Sequence, residues 1–333
     1  MEGKRKDDIM TVTDVTLGVD IGGTNTKFGL VDRGGKCIAE MSIATNAHEP
    51  AENLIARLHE KVEEMRRPLS GKYELRGVGI GAPNANYYRG TIENPPNLSW
   101  KGVVDMAALI RKYYDLPVAV TNDANAAALG EMLYGAARGM KNFIVITLGT
   151  GLGSGIVAGG ELVYGADGFA GEIGHTTVDP EGRECGCGGR GHLETYASAG
   201  GICRTVSELL SVRRTESELR AIAPRDLTSM MIAGAAGRGD GIAKEAFEFT
   251  GRILGMKLAD SVAHVSPEAI ILFGGLAAAG ALIFDPTKRS LEEYLLPIFR
   301  GKVQLLPSGL REGDVAVLGA SALIWNEILK ERK

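Results

Sequence analysis

The sequence predicts a two-domain protein of the α/β class. Its 333 residues, of which 44% are hydrophobic, are enough to form two domains with separate cores. Residues 15–31 have the pattern of a strand, a glycine-rich turn and a second strand, and residues 142–158 repeat that pattern. Amphipathic helices follow in each half, so we expect two domains that each begin with the same strand–turn–strand unit.

In the first half, apolar residues spaced by four, such as Leu54, Leu58 and Val62, predict a helix over residues 50–66. An Ala-rich helix is predicted to begin after Asn125. The strands predicted in this half are residues 15–21, 26–31, 36–42, 76–81 and 117–121.

In the second half, a long helix is predicted over residues 242–265 and a final amphipathic helix over residues 315–330. The apolar stripe of the final helix must pack against a domain. A Gly- and charge-rich stretch at residues 135–141 is the predicted domain boundary. The strands predicted in this half are residues 142–148, the segment that ends at Ala158, and residues 269–273.

Composition excludes several functional classes. The net charge of −4 argues against a nucleic-acid surface, because a mildly acidic protein repels phosphate backbones at long range. No segment approaches the roughly 20 apolar residues of a transmembrane helix, and the charged N-terminus lacks a signal peptide. Only four cysteines are present, two of them as Cys-x-Cys, which fits a reducing cytoplasm.

Two glycine-rich turns predict phosphate binding. The first, DIGGTNTK at residues 20–27, can direct several backbone N–H groups at one anion, and the second, at residues 148–155, repeats the design. A plain glycine hairpin is the alternative for either turn alone. A third glycine pair follows a strand and could lie against adenine or ribose, or simply start a helix. The candidate ATP-binding residues are Gly22, Gly23, Thr24, Asn25, Lys27, Thr150, Gly151, Gly274 and Gly275.

Asp123 lies at a predicted strand end, just before a helix. In phosphoryl transfer to an alcohol, one carboxylate accepts the hydroxyl proton while the rest of the protein positions the reactants. Asp123 suits that role, and the alternative is a helix N-cap.

A polar, glycine-rich region at residues 171–194 permits three interpretations. Glu172, His175 and Glu194 could bind sugar hydroxyls, because carboxylates and imidazoles are directional partners. Together with Cys185 and Cys187, His175 and His192 could instead ligate zinc. The third interpretation is a glycine-rich loop with reduced thiols.

The loop NPPNLSW at residues 94–100 could wall a polar pocket, with Asn97 offering amide hydrogen bonds. Its alternative is a surface turn anchored by Trp100.

Taken together, these segments resemble the ROK family of sugar kinases and regulators, and among its members the bacterial glucokinases most closely. The similarity extends from residue 15 to the final helix and so covers nearly the whole chain. The segments that carry it are DIGGTNTK at 20–27, GIGAPN at 79–84, NPPNLSW at 94–100, TNDANAAALGE at 121–131, TLGTGLGSGIV at 147–157, GFAGEIGH at 168–175 and CGCGGRGHLETYAS at 185–198.

The resemblance implies an actin-like, ribonuclease-H-like fold with ATP in a cleft between the domains. It implies a charged tail at residues 1–14 and a first domain at 15–135 that is completed by the C-terminal helix at 315–333. The second, larger domain then spans 136–314 and includes a zinc-type loop at 175–192.

The resemblance also implies roles for single residues. Asp123 is the base that takes the proton from the sugar hydroxyl, and Asp20 matches the position near the magnesium ion. The family's zinc motif ends in a third Cys where this chain has His192, which is also a zinc ligand, so a structural Zn²⁺ is expected. The residues that match sugar-binding positions are Asn97, Asn122, Asp123, Glu172, His175 and Glu194.

The expected reaction is in-line transfer of the γ-phosphate of ATP·Mg²⁺ to a hexose hydroxyl, with glucose as the substrate that the resemblance favours. N-acetylmannosamine, N-acetylglucosamine, fructose and allose are alternatives, because the polar residues are shared within the family. A sugar-sensing regulator would need a helix-turn-helix domain, for which residues 1–14 are too short. An actin-like filament protein or chaperone would have no use for the sugar-binding residues. We expect a cytoplasmic homodimer that binds hexose and ATP, without nucleic-acid or membrane partners.

Overall fold

The computed structural model describes residues 12–311 and 313–330. The charged tail predicted at 1–14 lies outside the described residues as far as residue 11. Thr13 and Asp14 already belong to the first strand.

The chain divides into two compact units, called unit 1 and unit 2 below. Unit 1 comprises Met1–Gly130 and Asp314–Lys333, and unit 2 is the continuous segment Glu131–Gly313. The chain crosses from unit 1 to unit 2 between Gly130 and Glu131. This crossing lies before the predicted boundary at residues 135–141, so Gly135 and Ala136 belong to unit 2.

Unit 1 contains a five-stranded sheet, a small three-stranded sheet and helices that cover them. Its elements before the crossing are β1 (Thr13–Ile21), β2 (Asn25–Asp32), β3 (Cys37–Ala44), α1 (Ala51–Arg66), β4 (Tyr73–Gly81), β5 (Ala85–Asn86), β6 (Thr91–Glu93), β7 (Val103–Asp105), α2 (Met106–Arg111), β8 (Val118–Thr121) and α3 (Asp123–Tyr134), whose C-terminal end is counted in unit 2.

The large sheet of unit 1 has the order β3-β2-β1-β4-β8. β1 and β2 form an antiparallel hairpin, whereas β1, β4 and β8 run parallel. Their carboxyl ends therefore meet at one edge of the sheet, where open α/β sheets generally bind ligands. On one side of the core, α1 buries the predicted apolar stripe that includes Leu54, Leu58 and Val62.

Unit 2 repeats the plan with a second five-stranded sheet in the order β11-β10-β9-β12-β13. Its elements are β9 (Phe143–Leu148), β10 (Leu152–Ala158), β11 (Glu161–Leu162), α4 (Ala199–Val212), α5 (Ser229–Gly237), α6 (Gly241–Val265), β12 (Ala269–Phe273), α7 (Ala281–Tyr294) and β13 (Gln304–Pro307).

The core of unit 2 is built on β9 and β12, which pair in parallel and are apolar almost throughout. α6 packs closely on α7 because Gly251 and Gly255 bring the helix backbones together; a β-carbon on Gly251 would lie 2.6 Å from Pro286 Cγ. The Asp240 side chain caps α6 by accepting from Ala243 N–H, and Ser266 ends the helix in the left-handed region at φ 46°.

Glu131 is a fully buried carboxylate at the start of unit 2. It accepts from the Ala136 N–H at 2.7 Å, the Gly309 N–H at 3.2 Å and the Ser308 hydroxyl. Each of these donors offsets the cost of burying the charge. Glu131 thus joins the first residues of unit 2 to a segment near its end.

The final helix, α8 (Val315–Lys330), belongs to unit 1 and lies over β1 and β4. Glycines make the approach possible, because a β-carbon on Gly18 or Gly79 would overlap the carbonyl oxygen of Val317 or Ala320. The Thr16 and Ser321 hydroxyls also hydrogen-bond at 2.7 Å within this contact.

The predicted α/β class is confirmed, and the strand at 269–273 and the helix at 315–330 have the predicted bounds. Among the residues that the structure describes, no helix combines the length and apolar character needed to cross a bilayer.

Candidate active site

Two carboxylates lie at the carboxyl edge of the unit 1 sheet. Asp20, near the end of β1, pairs with Lys27 on β2 and with Gly81 on β4. A β-carbon built on Gly81 would lie 3.7 Å from Asp123 Cα and 3.8 Å from Asp20 Oδ1. The sheet register thus brings Asp20, Lys27 and Asp123 to one place.

Asn122, rather than Asp123, accepts the N–H groups of the first turn of α3. Its Oδ1 accepts from Ala124 N–H at 2.8 Å and from Asn125 N–H at 3.2 Å. Asp123 Oδ1 shares only the Ala124 N–H, at 2.8 Å. The alternative interpretation of Asp123 as the helix N-cap is therefore wrong, because Asn122 caps α3.

Both carboxyls are poor acids in this setting. Burial raises the pKa of Asp20 to about 7, with the negative charge of Asp123 adding to the effect and Lys27 opposing it. Desolvation also raises the pKa of Asp123, against hydrogen bonds from backbone N–H groups. The Asp123 side chain nevertheless contacts solvent.

The first glycine turn connects β1 to β2 and is held in place by Thr45. The Thr45 hydroxyl donates to Gly22 O at 2.7 Å, and its N–H donates to Thr24 O at 2.9 Å. Thr24 and Asn25 are exposed at the tip. A β-carbon on Gly23 would lie 2.9 Å from Asn97 O, so the structure places the NPPNLSW loop against this turn.

The second glycine turn connects β9 to β10 in unit 2. The N-terminus of α4 faces it, since Ala199 N–H donates to Gly149 O at 2.8 Å. Gly274, at φ 102°, packs against Leu148 O, so the third glycine pair adjoins the same turn. A helix N-terminus beside a glycine-rich turn favours anions.

Glu172, His175 and Glu194 come together in unit 2. His175 Nε2 lies 4.0 Å from Glu172 Oε2, and His175 Nδ1 lies 3.9 Å from Glu194 Oε1. Ser154 on β10 holds the segment that contains Glu172 and His175, because its hydroxyl accepts from Ile173 N–H at 3.2 Å. Glu194 also lies against the second glycine turn: a β-carbon on Gly151 would lie 2.8 Å from its Oε2.

The four predicted zinc ligands also cluster. One ligand atom from each of His175, Cys185, Cys187 and His192 lies within 4.8 Å of the others. Cys185 Sγ is 3.8 Å from His175 Nδ1, and Cys187 Sγ is 3.2 Å from His192 Nδ1. Tetrahedral zinc with Zn–S of about 2.3 Å and Zn–N of about 2.0 Å needs about 3.5 Å between such atoms. Donor set and spacing therefore fit zinc, with histidine at the fourth position.

The Cys185 thiol is protonated without a metal ion. Burial raises its pKa to about 12, and its hydrogen bond to Glu194 Oε1 at 2.8 Å adds to the shift. Metal binding must displace that proton, since the thiolate is the ligand.

The predicted site residues thus fall into two sets. Unit 1 brings together Asp20, the turn at 22–25, Lys27, Asn97, Asn122 and Asp123. Unit 2 brings together Thr150, Gly151, Gly274, Gly275, Glu172, His175, Glu194 and the remaining metal ligands.

Three residues that position these sets escaped sequence analysis: Thr45, Ser154 and Arg183. Hydroxyl residues such as Thr45 and Ser154 have no distinctive pattern. Arg183 stands in a polar loop, where sequence predicts exposure, yet it is 7% exposed.

Comparison with known proteins identifies the family. The family model described as ROK matches residues 16–327. A glucokinase from Halalkalibacterium halodurans is 37% identical over 316 residues, covering 92% of this chain and 94% of its own. A glucokinase from Thermotoga maritima is 34% identical, covering 94% and 98%. The chain therefore belongs to the ROK family and, within it, to the sugar kinases.

Solved structures agree on the fold. A ROK family glucokinase from Streptomyces griseus in complex with glucose and AMPPNP has a TM-score of 0.78 and 34% identity, covering 93% of this chain and 98% of its own. The fold is the actin-like, ribonuclease-H-like fold of these kinases. A xylose repressor from Bacillus spizizenii is also similar, at 27% identity, with 94% of this chain and 78% of the repressor covered.

Proposed function

We propose that this sugar kinase transfers the γ-phosphate of ATP to the 6-hydroxyl of glucose, giving glucose 6-phosphate. The observation that carries the proposal is the position of Asp123 beside Asp20, at a sheet edge next to a phosphate-type turn, with helix capping left to Asn122. The glucokinase relatives, at 34–37% identity, support glucose as the sugar.

Asp123 is the proposed general base. Its raised pKa makes the ionised carboxylate a stronger proton acceptor than an ordinary aspartate. As the sugar oxygen forms its bond to the γ-phosphorus, the proton passes to Asp123 and the bond to the β-phosphate oxygen breaks, releasing ADP.

The glycine turns are the proposed phosphate contacts, through Gly22–Asn25 and Lys27 in the first turn and Thr150 and Gly151 in the second. Gly274 and Gly275 are proposed to contact the adenosine. Mg²⁺, when bound, neutralises charge on the phosphates, and Asp20 is the residue proposed to hold it. Asp20 is then ionised despite its raised pKa, because a cation favours the charged form.

Glucose is proposed to contact Asn97, Asn122, Asp123, Glu172, His175 and Glu194. Zinc at the Cys/His cluster has a structural role in this proposal. It would bind His175 through Nδ1, which lies toward Cys185, and leave Nε2 for the sugar.

The alternatives are kinases of the same family that act on N-acetylmannosamine, N-acetylglucosamine, fructose or allose. A sugar-sensing regulator is less well supported, because the repressor relative is 27% identical and the glucokinases reach 37%. The proposed enzyme acts in the cytoplasm as a homodimer, and sedimentation of the purified protein tests the stoichiometry.

The decisive variant is Asp123→Asn, compared with Asp115→Asn at the opposite end of β8. We expect kcat to fall by about 10²–10⁴-fold in the first variant, the range typical of a lost general base, while glucose binding by calorimetry changes little. The control should retain wild-type kcat. Near-normal turnover by D123N would refute the assignment.

Substrate choice is tested separately by ADP release across hexoses and N-acetylhexosamines. We expect the highest kcat/KM for glucose. A higher value for an N-acetyl sugar would replace glucose and leave the kinase mechanism intact.

A further inference from the structure

Arg183 is a buried arginine in the loop that carries three of the candidate zinc ligands, Cys185, Cys187 and His192. It lies two residues before Cys185, and only 6% of its side chain is exposed. The mechanism proposed above gives it no role.

The guanidinium of Arg183 has all five of its N–H groups satisfied. Arginine offers five donors in a fixed fork, and burying them is costly unless each finds an acceptor. Nε donates to Glu208 Oε1 at 3.2 Å. Nη2 donates to Glu208 Oε2 at 2.5 Å and to Thr205 Oγ1 at 2.9 Å. Nη1 donates to the carbonyl oxygens of Thr195 at 2.7 Å and Gly201 at 3.2 Å.

Tyr196 fixes the same arginine from a second direction. The Arg183 guanidinium carbon lies 4.5 Å from the centre of the Tyr196 ring, a cation–π arrangement. The Tyr196 hydroxyl accepts the backbone N–H of Arg183 at 3.2 Å. Both the side chain and the backbone of Arg183 are therefore held.

These contacts join three pieces of unit 2: the cysteine loop, the segment that follows Glu194, and α4. Arg183 is two residues from Cys185, and Thr195 directly follows Glu194. The hydrogen bond from Arg183 Nη1 to the Thr195 carbonyl therefore ties together the two segments that carry Cys185 and Glu194. It thereby sets the distance between the Cys185 thiol and the Glu194 carboxylate, which is 2.8 Å. Helix α4, through Thr205 and Glu208, is the rigid support.

The rest of the loop is organised by its own backbone. Cys185 N–H donates to Gly189 O at 3.0 Å, Gly191 N–H to Arg183 O at 2.7 Å, and Leu193 N–H to Thr176 O at 3.0 Å. These bonds close a hairpin whose one deeply buried charged side chain, among the described loop residues, is Arg183.

We propose that Arg183 is the positioning residue that pre-forms this metal loop, residues 176–194, so that zinc binds a ligand set already in place. Many zinc loops are instead unfolded without metal, and the ion organises them. The proposal rests on the proposed function only in treating Glu194 as a sugar ligand.

The first experiment is amide hydrogen exchange on the full-length protein after metal removal. We expect the amides of Cys185, Gly191 and Leu193 to remain protected without metal. Exchange as fast as in an unstructured peptide would overturn the proposal, because the metal would then be the organiser. This measurement needs no variant and no activity assay.

The second experiment compares Arg183→Lys with Arg190→Lys. Lysine keeps the charge but cannot supply five planar donors. Arg190 is the matched control, since it lies in the same loop and is 56% exposed in its pair with Glu184. We expect R183K to lose loop protection by more than tenfold, with β9 amides unchanged, and to weaken Zn²⁺ affinity, measured by chelator competition, by about tenfold. R190K should match wild type within about twofold.

Loop protection and zinc affinity in R183K within twofold of wild type would overturn the proposal. Neither readout involves sugar or ATP, so both stand if the enzyme acts on another substrate. In R183K we also expect KM for glucose to rise while KM for ATP stays the same. If R183K loses hydrogen-exchange protection in the loop but keeps its KM for glucose, Arg183 positions the loop as proposed. The same result would refute Glu194 as a sugar ligand.

Discussion

The surroundings of Asp20 hold its carboxyl close to neutrality. Burial and the negative charge of Asp123 together raise its pKa to about 7 from 3.8. A carboxyl of this kind costs little in the protonated form and destabilises the fold once it is ionised. In the proposed mechanism, a cation held by Asp20 relieves that cost.

The first prediction concerns stability and pH in Asp20→Asn. Between about pH 4 and pH 7, the folded state binds a proton that the unfolded state has released. The stabilisation from protonated Asp20 is therefore complete below about pH 4 and is lost as pH rises through about 7. We expect the unfolding free energy of wild type, relative to D20N, to fall across this range when measured by urea unfolding in the absence of metal.

Asp115→Asn, which removes an exposed carboxyl elsewhere in unit 1, serves as the control. A difference between wild type and D20N that stays constant from pH 4 to 8 would contradict the raised pKa.

How much of the site could be predicted depends on where the partners of each residue lie in the sequence. Asp123, Glu172 and His175 stand in short segments whose composition is unusual in itself, so the sequence alone singles them out as candidates. Arg183 and Glu131 are different. Each is a single charged residue in ordinary surroundings, and its acceptors or donors lie far along the chain, such as Glu208 and Ser308. Only the fold reveals that these charges are buried.

At the scale of elements, α8 contacts the sheet of unit 1 backbone to backbone. The glycines at positions 18 and 79 place the helix carbonyls directly over the strands. Such a contact tolerates no side chain, because neither backbone can move without breaking its own hydrogen bonds.

We therefore predict that Gly79→Ala destabilises the protein by about 1–3 kcal/mol, the usual cost of overpacking a core. Chemical unfolding measures the change. The control is Gly237→Ala at the end of α5, where a β-carbon would meet no atom within 4 Å. A G79A protein as stable as G237A would show that the helix can shift away at no cost.

Sequence patterns located α6 and α8 and missed β5, β13 and α7. α6 and α8 have many turns over which an apolar pattern can repeat, and both were predicted within one residue. β13 has four residues and ends in proline, and β5 has two, so neither shows a period. α7 carries Pro286 in its interior, which sequence rules take as a break.

At the scale of the whole molecule, the two units differ in how the chain builds them. Unit 2 is one continuous segment with its own core, whereas unit 1 needs α8 from the far end. We predict that a fragment of residues 131–313 unfolds cooperatively in urea. We also predict that a chain ending at residue 313 loses protection from hydrogen exchange in β1 and β4 but retains it in β9. Retained protection in β1 would contradict the prediction.

The place of α8 in the sequence also has a consequence for synthesis. A ribosome adds roughly 5–20 residues per second, so residues 131–313 take about 10–40 s to appear. Throughout that interval the glycine-lined faces of β1 and β4 exist without the helix that covers them. The sheet of unit 1 therefore stays uncovered on this side while unit 2 is synthesised and can fold. The half of the protein that is translated first is therefore the last to be completed.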